Sequence, residues 1–155
     1  MRVGLGFDVH PTDPERPLRL GGATIPDGPG LAGHSDADVV CHALADALLG
    51  AAALGDLGQH FPDADPAVAG IEGLALLGRV VDMVRDAGLA PESCDLTVIA
   101  DGPPVSPHRD EIRGNLAAAL GVEIGAVSVK ATRPEGLGLR GDGMGCIAVV
   151  ALADS

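Results

Sequence analysis

The sequence has no Trp and no Tyr, only two Phe (Phe7 and Phe61) and a single Lys, Lys130, among 155 residues. Each scarcity excludes something. The formal net charge is -12 and no stretch is rich in Arg or Lys, so nucleic acid and anionic membranes are poor partners, because binding them takes clustered cations that displace counterions. An anionic ligand would have to be neutralised by metal ions and backbone amides instead. With so little aromatic surface to stack on a nucleotide base, base recognition would fall to main-chain groups. The three cysteines, Cys41, Cys94 and Cys146, are scattered, odd in number and outside C-x-x-C spacing. They encode neither a disulfide framework nor a Cys-rich zinc module, and a reducing compartment suits them. No apolar run is long enough to span a membrane, and Met1-Arg2-Val3-Gly4 opens into a strand rather than a leader. A soluble, cytoplasmic protein with one domain over residues 1–155 is expected.

Strands and helices alternate along the chain. Val3–Val9 reads as a strand and Leu18–Pro26 as a hairpin punctuated by Gly21-Gly22. From Asp36 to Ala53 apolar residues recur at helical spacing, with Ser35 or Asp36 as the cap. Residues 55–66 hold too much Gly, Pro and Asp for regular structure beyond a short helical turn. Helices are expected over about Ile71–Ala87 and Pro107–Leu120, each stopped by a glycine, and strands at Cys94–Ala100, Val127–Ala131 and Gly145–Leu152. The fold class is therefore α/β, an α+β sandwich with one mixed sheet covered on one face by helices. Cys146–Leu152 is apolar on both sides, and three helices can cover only one face. The other face predicts sheet-to-sheet packing between subunits of a homo-oligomer.

Two short strings carry chemistry. In Gly6-Phe7-Asp8-Val9-His10, Asp8 and His10 are two apart on a strand and share a face. In the helix that follows His34-Ser35-Asp36-Ala37-Asp38, the polar residues Asp38, His42 and Asp46 are spaced by four and predict a polar stripe opposite the Val/Leu/Ala face. Such a stripe is also what a solvated helix surface looks like. The joint presence of Asp-x-His on a strand, His42 on a helix and an acidic glycine-rich loop favours a three-ligand metal site with an open position. Asp8 suits a hard cation, and His10 and His42 suit zinc. An open zinc could activate water in a hydrolase or polarise a phosphoryl oxygen while another group attacks.

Five motifs in order resemble the 2-C-methyl-D-erythritol 2,4-cyclodiphosphate synthases of non-mevalonate isoprenoid biosynthesis. They are Gly6-Phe7-Asp8-Val9-His10; His34-Ser35-Asp36; His42-Ala43-Leu44 with Asp46 to Gly50; Gly55-Asp56-Leu57-Gly58 with Phe61-Pro62-Asp63; and Lys130-Ala131-Thr132 with Glu135. The resemblance implies a homotrimer with sheets around a threefold axis and active sites between subunits. It implies an intramolecular phosphoryl transfer that closes a cyclic diphosphate and releases CMP. Zn2+ or another divalent metal would sit on Asp8, His10 and His42, and Mg2+ or Mn2+, held with the help of Glu135, would bridge the diphosphate. Substrate contacts are implied at Asp8, Val9 and His10. His34 and Ser35 would contact phosphate, with His34, Thr132 and Arg133 as catalytic positions. Asp56, Leu57, Gly58, Phe61, Pro62, Asp63, Ala64 and Asp65 would embrace the methylerythritol. Ala100, Pro103, Pro104, Val105 and Ser106 of a neighbouring subunit would read cytosine through the backbone. Among these, Asp46 could serve only to orient His42, Asp65 only to cap a turn, and Phe61 only as core.

Several positions depart from that pattern. Pro104 stands where a lysine is usual, removing a cation and a backbone donor. Arg133 replaces the second threonine of the closing motif, where a guanidinium can make charge-assisted phosphate contacts or point to solvent. Ala37 replaces a glycine. Asp142 and Val149 stand at positions where an arginine and a glutamate are associated with prenyl diphosphate binding on the axis, so such binding is expected to be weak or absent. The competing classes are a non-catalytic cytidine-nucleotide-binding trimer and a zinc phosphohydrolase.

Overall fold

A computed structural model describes residues 1–62, 64–138 and 142–155. Among these residues the strands are β1 (Arg2–Asp13), β2 (Leu18–Leu20), β3 (Ala23–Ile25), β4 (Gly30–Leu31), β5 (Leu89–Ile99), β6 (Val127–Thr132) and β7 (Gly143–Asp154). The α-helices are α1 (Val39–Ala52), α2 (Leu57–His60), α3 (Gly73–Asp86) and α4 (Arg109–Leu120). The main sheet has the order β4-β1-β7-β5-β6, antiparallel except for the β5–β6 pair, and β2–β3 forms a separate hairpin. This is the expected mixed sheet with helices on one face. No helix among the described residues is long and apolar enough to cross a membrane.

The inner face of β1 is unusual. Gly4 and Gly6 point toward α1, while Val3, Leu5, Phe7 and Val9 point away and are exposed. A Cβ on Gly4 would lie 2.0 Å from the Ala47 carbonyl oxygen, and one on Gly6 1.9 Å from that of Ala43. The two glycines therefore let the α1 backbone rest directly on the strand. Helix α3 packs against α1 and α4. Between these layers every residue of α1 from Val39 to Leu49 except Asp46 is buried.

That burial corrects the expected polar stripe. Asp38 is the N-cap, not a helical surface residue, and His34 precedes the helix. Helix α1 is enclosed between the sheet and other helices, and of the expected stripe only the buried His42 and the partly exposed Asp46 lie within it. The cap is Asp38 rather than Ser35 or Asp36 for a physical reason. Its carboxylate accepts the Val40 and Cys41 amides at the helix start (both 3.1 Å) and also those of Gly21 and Gly22 (both 2.8 Å), tying the β2–β3 hairpin to α1. The neighbouring acids act elsewhere: Asp36 accepts the Gly73 amide that opens α3 (2.8 Å).

All three cysteines are free and buried. Burial pushes the Cys94 thiol up to about 12 and raises those of Cys41 and Cys146, so none supplies a thiolate nucleophile.

Candidate functional site

The close strand–helix packing carries His42, in the first turns of α1, to the end of β1 where Asp8 and His10 share the inner face. Asp8 Oδ2 lies 3.0 Å from His10 Nε2 and 3.2 Å from His42 Nδ1, and the two ring nitrogens are 3.3 Å apart. Bonds of 2.0–2.1 Å to a tetrahedral metal put neighbouring ligand atoms roughly 3.3 Å from one another. The three donor atoms thus already form one face of such a tetrahedron.

The opposite ring nitrogens are held elsewhere. His10 Nδ1–H donates to the Ala32 carbonyl at 2.7 Å, which leaves Nε2 as a lone pair toward the cluster. His42 Nε2 lies 3.1 Å from Ser35 Oγ, a buried hydroxyl that also accepts the Ala37 amide at 3.0 Å. A proton on Nε2 donated to Ser35 leaves His42 Nδ1 to ligate, the usual arrangement for metal-bound imidazoles. Burial pushes the Asp8 carboxyl up, but the hydrogen bonds and charges of His10 and His42 outweigh it and hold it at about 2. The Asp8 hydrogen bond raises His10 in turn, against desolvation. Asp8 is ionised at neutral pH, and either a proton on His10 or a divalent cation can balance it. The donor set fits a divalent metal.

The cluster opens into a cavity of about 380 Å³. Gly33, His34 and Ser35 line one side, and Leu57, Gly58, Phe61, Val68, Ile71 and Leu76 form a largely apolar wall. Asp46 does not orient His42. Its carboxylate accepts the Leu57 amide at 3.2 Å and so positions the Leu57–Gly58 side of the cavity. Asp56 caps α2 by accepting the Gln59 amide at 3.0 Å, with its side chain exposed. Asp65 caps a turn through the Ala67 amide at 2.9 Å. Phe61 both packs on the core and lines the cavity. Pro62 and Ala64 are exposed, and Asp63 lies outside the described residues.

A second cavity, about 370 Å³, gathers the other expected residues: Ala100, Pro103, Pro104, Val105, Ser106, Thr132 and Arg133, joined by Asp101, Gly102, Arg109 and Ala131. It has no lining residue in common with the first. Glu135 is exposed and lines neither, and Val9 faces away from the metal cluster beside a small cavity with Pro11 and Asp142. The expected site residues therefore fall into two separate cavities of the chain. Sequence reasoning missed Gly33, Val68, Ile71 and Leu76 in the first and Arg109 in the second. Apolar wall residues look like core in a sequence, and Arg109 looks like an ordinary first-turn residue.

A mixed sheet under helices, carrying an Asp/His/His cluster that fits a divalent metal and opens into a cavity, has the make-up of an α/β enzyme with a candidate metal centre. The chain matches the YgbB family over residues 1–153. It is 57% identical over 141 residues, 91% of its length and 90% of the relative's, to the 2-C-methyl-D-erythritol 2,4-cyclodiphosphate synthase of Salinibacter ruber. A solved 2C-methyl-D-erythritol-2,4-cyclodiphosphate synthase in its CDP-bound form has a TM-score of 0.91 at 34% identity, covering 98% of this chain and all of that one. The bifunctional IspDF from Campylobacter jejuni gives 0.94 at 38% identity, covering 99% of this chain and 42% of the larger one. The chain belongs to the YgbB family, that of the 2-C-methyl-D-erythritol 2,4-cyclodiphosphate synthases.

Proposed function

We propose that this enzyme converts 4-diphosphocytidyl-2-C-methyl-D-erythritol 2-phosphate to 2-C-methyl-D-erythritol 2,4-cyclodiphosphate and CMP in isoprenoid precursor synthesis. The observation that carries the reading is the preformed Asp8/His10/His42 cluster beside the Gly33–Ser35 loop in one cavity. In the reaction a 2-phosphate oxygen forms a bond to the sugar-linked phosphorus of the diphosphate. The bond from that phosphorus to the CMP oxygen breaks, and CMP leaves with the electron pair. No redox partner or water is consumed, so the protein's work is to position the reactants and offset charge.

Asp8, His10 and His42 would hold Zn2+ or another divalent ion, which when bound would neutralise phosphate charge and polarise a phosphoryl oxygen. The Gly33 and Ser35 amides have no acceptor among the described residues, which suits them to phosphate oxygens, with His34 between them. The hydroxyl of Ser35 is engaged by His42, so its amide rather than its side chain is the phosphate contact. Asp56, Leu57, Gly58, Phe61, Pro62, Ala64 and Asp65 would surround the methylerythritol, where a carboxylate accepts from sugar hydroxyls. The second cavity receives cytidine through the backbone of residues 100–106, with Thr132 and Arg133 toward the diphosphate and Glu135 helping to hold Mg2+ or Mn2+.

The two half-sites meet between copies of the chain. The outer face of the sheet supports a homotrimer: Val3, Leu5 and Phe7 are 62%, 66% and 53% exposed, beside exposed Ile147 and Val149. Apolar surface of that extent calls for a covering partner, and β1 and β7 are adjacent strands. We place the enzyme in the cytoplasm.

Phosphorus NMR of the purified protein with Zn2+, Mg2+ and the cytidylylated 2-phosphate tests the reading. Cyclic diphosphate with stoichiometric CMP is expected. Linear hydrolysis products would assign a phosphohydrolase instead, and saturable binding without turnover a nucleotide-binding trimer. His42→Ala should lose both bound metal and turnover; full turnover in that variant would refute the metal assignment.

A further inference from the structure

Two arginines one turn apart on α4 are used differently. Arg113 is fully engaged: Nε donates to the Val127 carbonyl at 2.8 Å, Nη2 to the Ile124 carbonyl at 2.9 Å, and Nη1 pairs with Asp110 at 3.2 Å, which fastens the helix to the start of β6. The Arg109 guanidinium makes no hydrogen bond or ion pair among the described residues. Its helix neighbour Asp110 is taken by Arg113, and Asp101, the one acid among the described residues lining the second cavity, pairs with neither Arg109 nor Arg133. The position itself is unfavourable for a cation. Arg109 is the first residue of α4, where the aligned peptide dipoles leave partial positive charge that favours Asp or Glu. The fold gains nothing from this guanidinium.

What Arg109 does have is a place at the second cavity, which it lines together with Arg133. The two approach that space from different elements, Arg109 from the start of α4 and Arg133 from the residue after β6. Both residues are exposed, so their flexible stems can swing the charged heads over the cavity with no internal bond to break first. In a cytidine nucleotide only the phosphates carry charge; base and ribose are neutral and are matched by main-chain groups and hydroxyls. A guanidinium presents paired N–H donors that fit phosphate oxygens and bind them more strongly than neutral donors do. We propose that Arg109 is a substrate-binding residue that, together with Arg133, grips the nucleotide's phosphate in the second cavity.

The proposal rests on the reading of the second cavity as the nucleotide's, and one set of measurements separates the two. Ligand-observed NMR titrations with cytidine and with CMP are run on the metal-loaded wild-type protein, on Arg109→Ala and Arg109→Gln, and on Arg79→Ala. The last removes the same charge from an exposed position of α3 that lines neither cavity. CMP affinity should fall about tenfold in both Arg109 variants, as for the loss of one good hydrogen bond to a charged group, while their cytidine affinity and both affinities of Arg79→Ala stay within about twofold of wild type. The CMP deficit should shrink on raising salt to about 0.5 M, which screens exposed charges. The thermal unfolding midpoint of the ligand-free Arg109 variants should not fall, because no internal bond is lost and the conflict with the helix dipole is relieved. Unchanged CMP affinity, an equal fall for cytidine, an equal fall in Arg79→Ala or a lowered midpoint would each overturn the grip. Wild-type protein that binds neither cytidine nor CMP would overturn the nucleotide reading of the cavity itself.

Discussion

Replacing Asp38 by Asn removes one acceptor from a group that serves four donors. Oδ1 accepts from Gly21, Val40 and Cys41, and Oδ2 accepts from Gly22 at 2.8 Å. Asparagine is a good cap, and its carbonyl can keep the three Oδ1 bonds in weaker, neutral form. Its NH2 would then face the Gly22 N–H, donor against donor, at a site where the residue is fully buried. Losing one hydrogen bond to a charged group costs about 1.5–3 kcal/mol. Adding the weakening of the other three gives about 3 kcal/mol, a large share of the roughly 5–15 kcal/mol that holds a domain together. Asp38→Ala, which strands all four amides, should cost more than about 4 kcal/mol. Urea unfolding of metal-free protein at one fixed protein concentration measures both. Asp38→Asn should shift the midpoint down by about 1.5 M at a urea slope near 2 kcal/mol/M. The His42 amide donates to the Asp38 carbonyl at 3.0 Å, so fraying of this turn should also weaken metal binding in a chelator competition. An Asp38→Asn protein within about 0.5 kcal/mol of wild type would refute the view that this carboxylate joins hairpin to helix.

Two further substitutions probe how the site is built. Gly6→Ala puts a Cβ 1.9 Å from the Ala43 carbonyl oxygen and 2.6 Å from the Ala47 amide. Backbone cannot step aside like a side chain, so α1 must lift off β1, and loss of soluble protein or of metal stoichiometry is expected in expression and metal analysis. A soluble variant with full metal content would contradict the close-packing argument. Asp46→Ala frees the Leu57 amide without touching the metal cluster, so steady-state kinetics should show KM rising about three- to tenfold with kcat little changed, a loss of uniform binding of about 0.7–1.4 kcal/mol. A fall confined to kcat would place Asp46 in the chemistry instead.

The sequence was most legible where the signal was local. Asp8 and His10 share a face because strands have a period of two, and helices α3 and α4 lie near their expected bounds because their apolar periodicity and glycine stops are intrinsic to those segments. Helix α1 was less legible. Its cap and its environment are set by tertiary neighbours: the Gly21-Gly22 amides select Asp38 over Asp36, and sheet, α3 and hairpin together bury a face that spacing alone marked as polar. Strand β1 reads backwards for a related reason. Its large apolar side chains point away from the chain's own core and its glycines point inward, which only the docked helix explains. Arg16, which donates to the Gly33 and Ser35 carbonyls beside the metal cluster, gives no sequence signal because those partners lie 17 and 19 positions away.

Charge supplies the remaining step. In a chain of net charge -12, no Arg or Lys among the described residues lines the metal cavity, whereas the second cavity is lined by Arg109 and Arg133. Neither of those guanidiniums has an ion pair among the described residues, unlike Lys130, which is paired with Asp95. The lysine absent at Pro104 therefore leaves the second cavity cationic all the same. A phosphorylated nucleotide carries negative charge along its length, and neither half of this chain offsets it alone: one half offers a metal cluster and amides, the other arginines. On the trimer proposed above, complementarity to such a substrate would arise where the metal cavity of one copy faces the arginine cavity of another, and assembly would then be a condition of the chemistry as well as of covering the apolar face of β1.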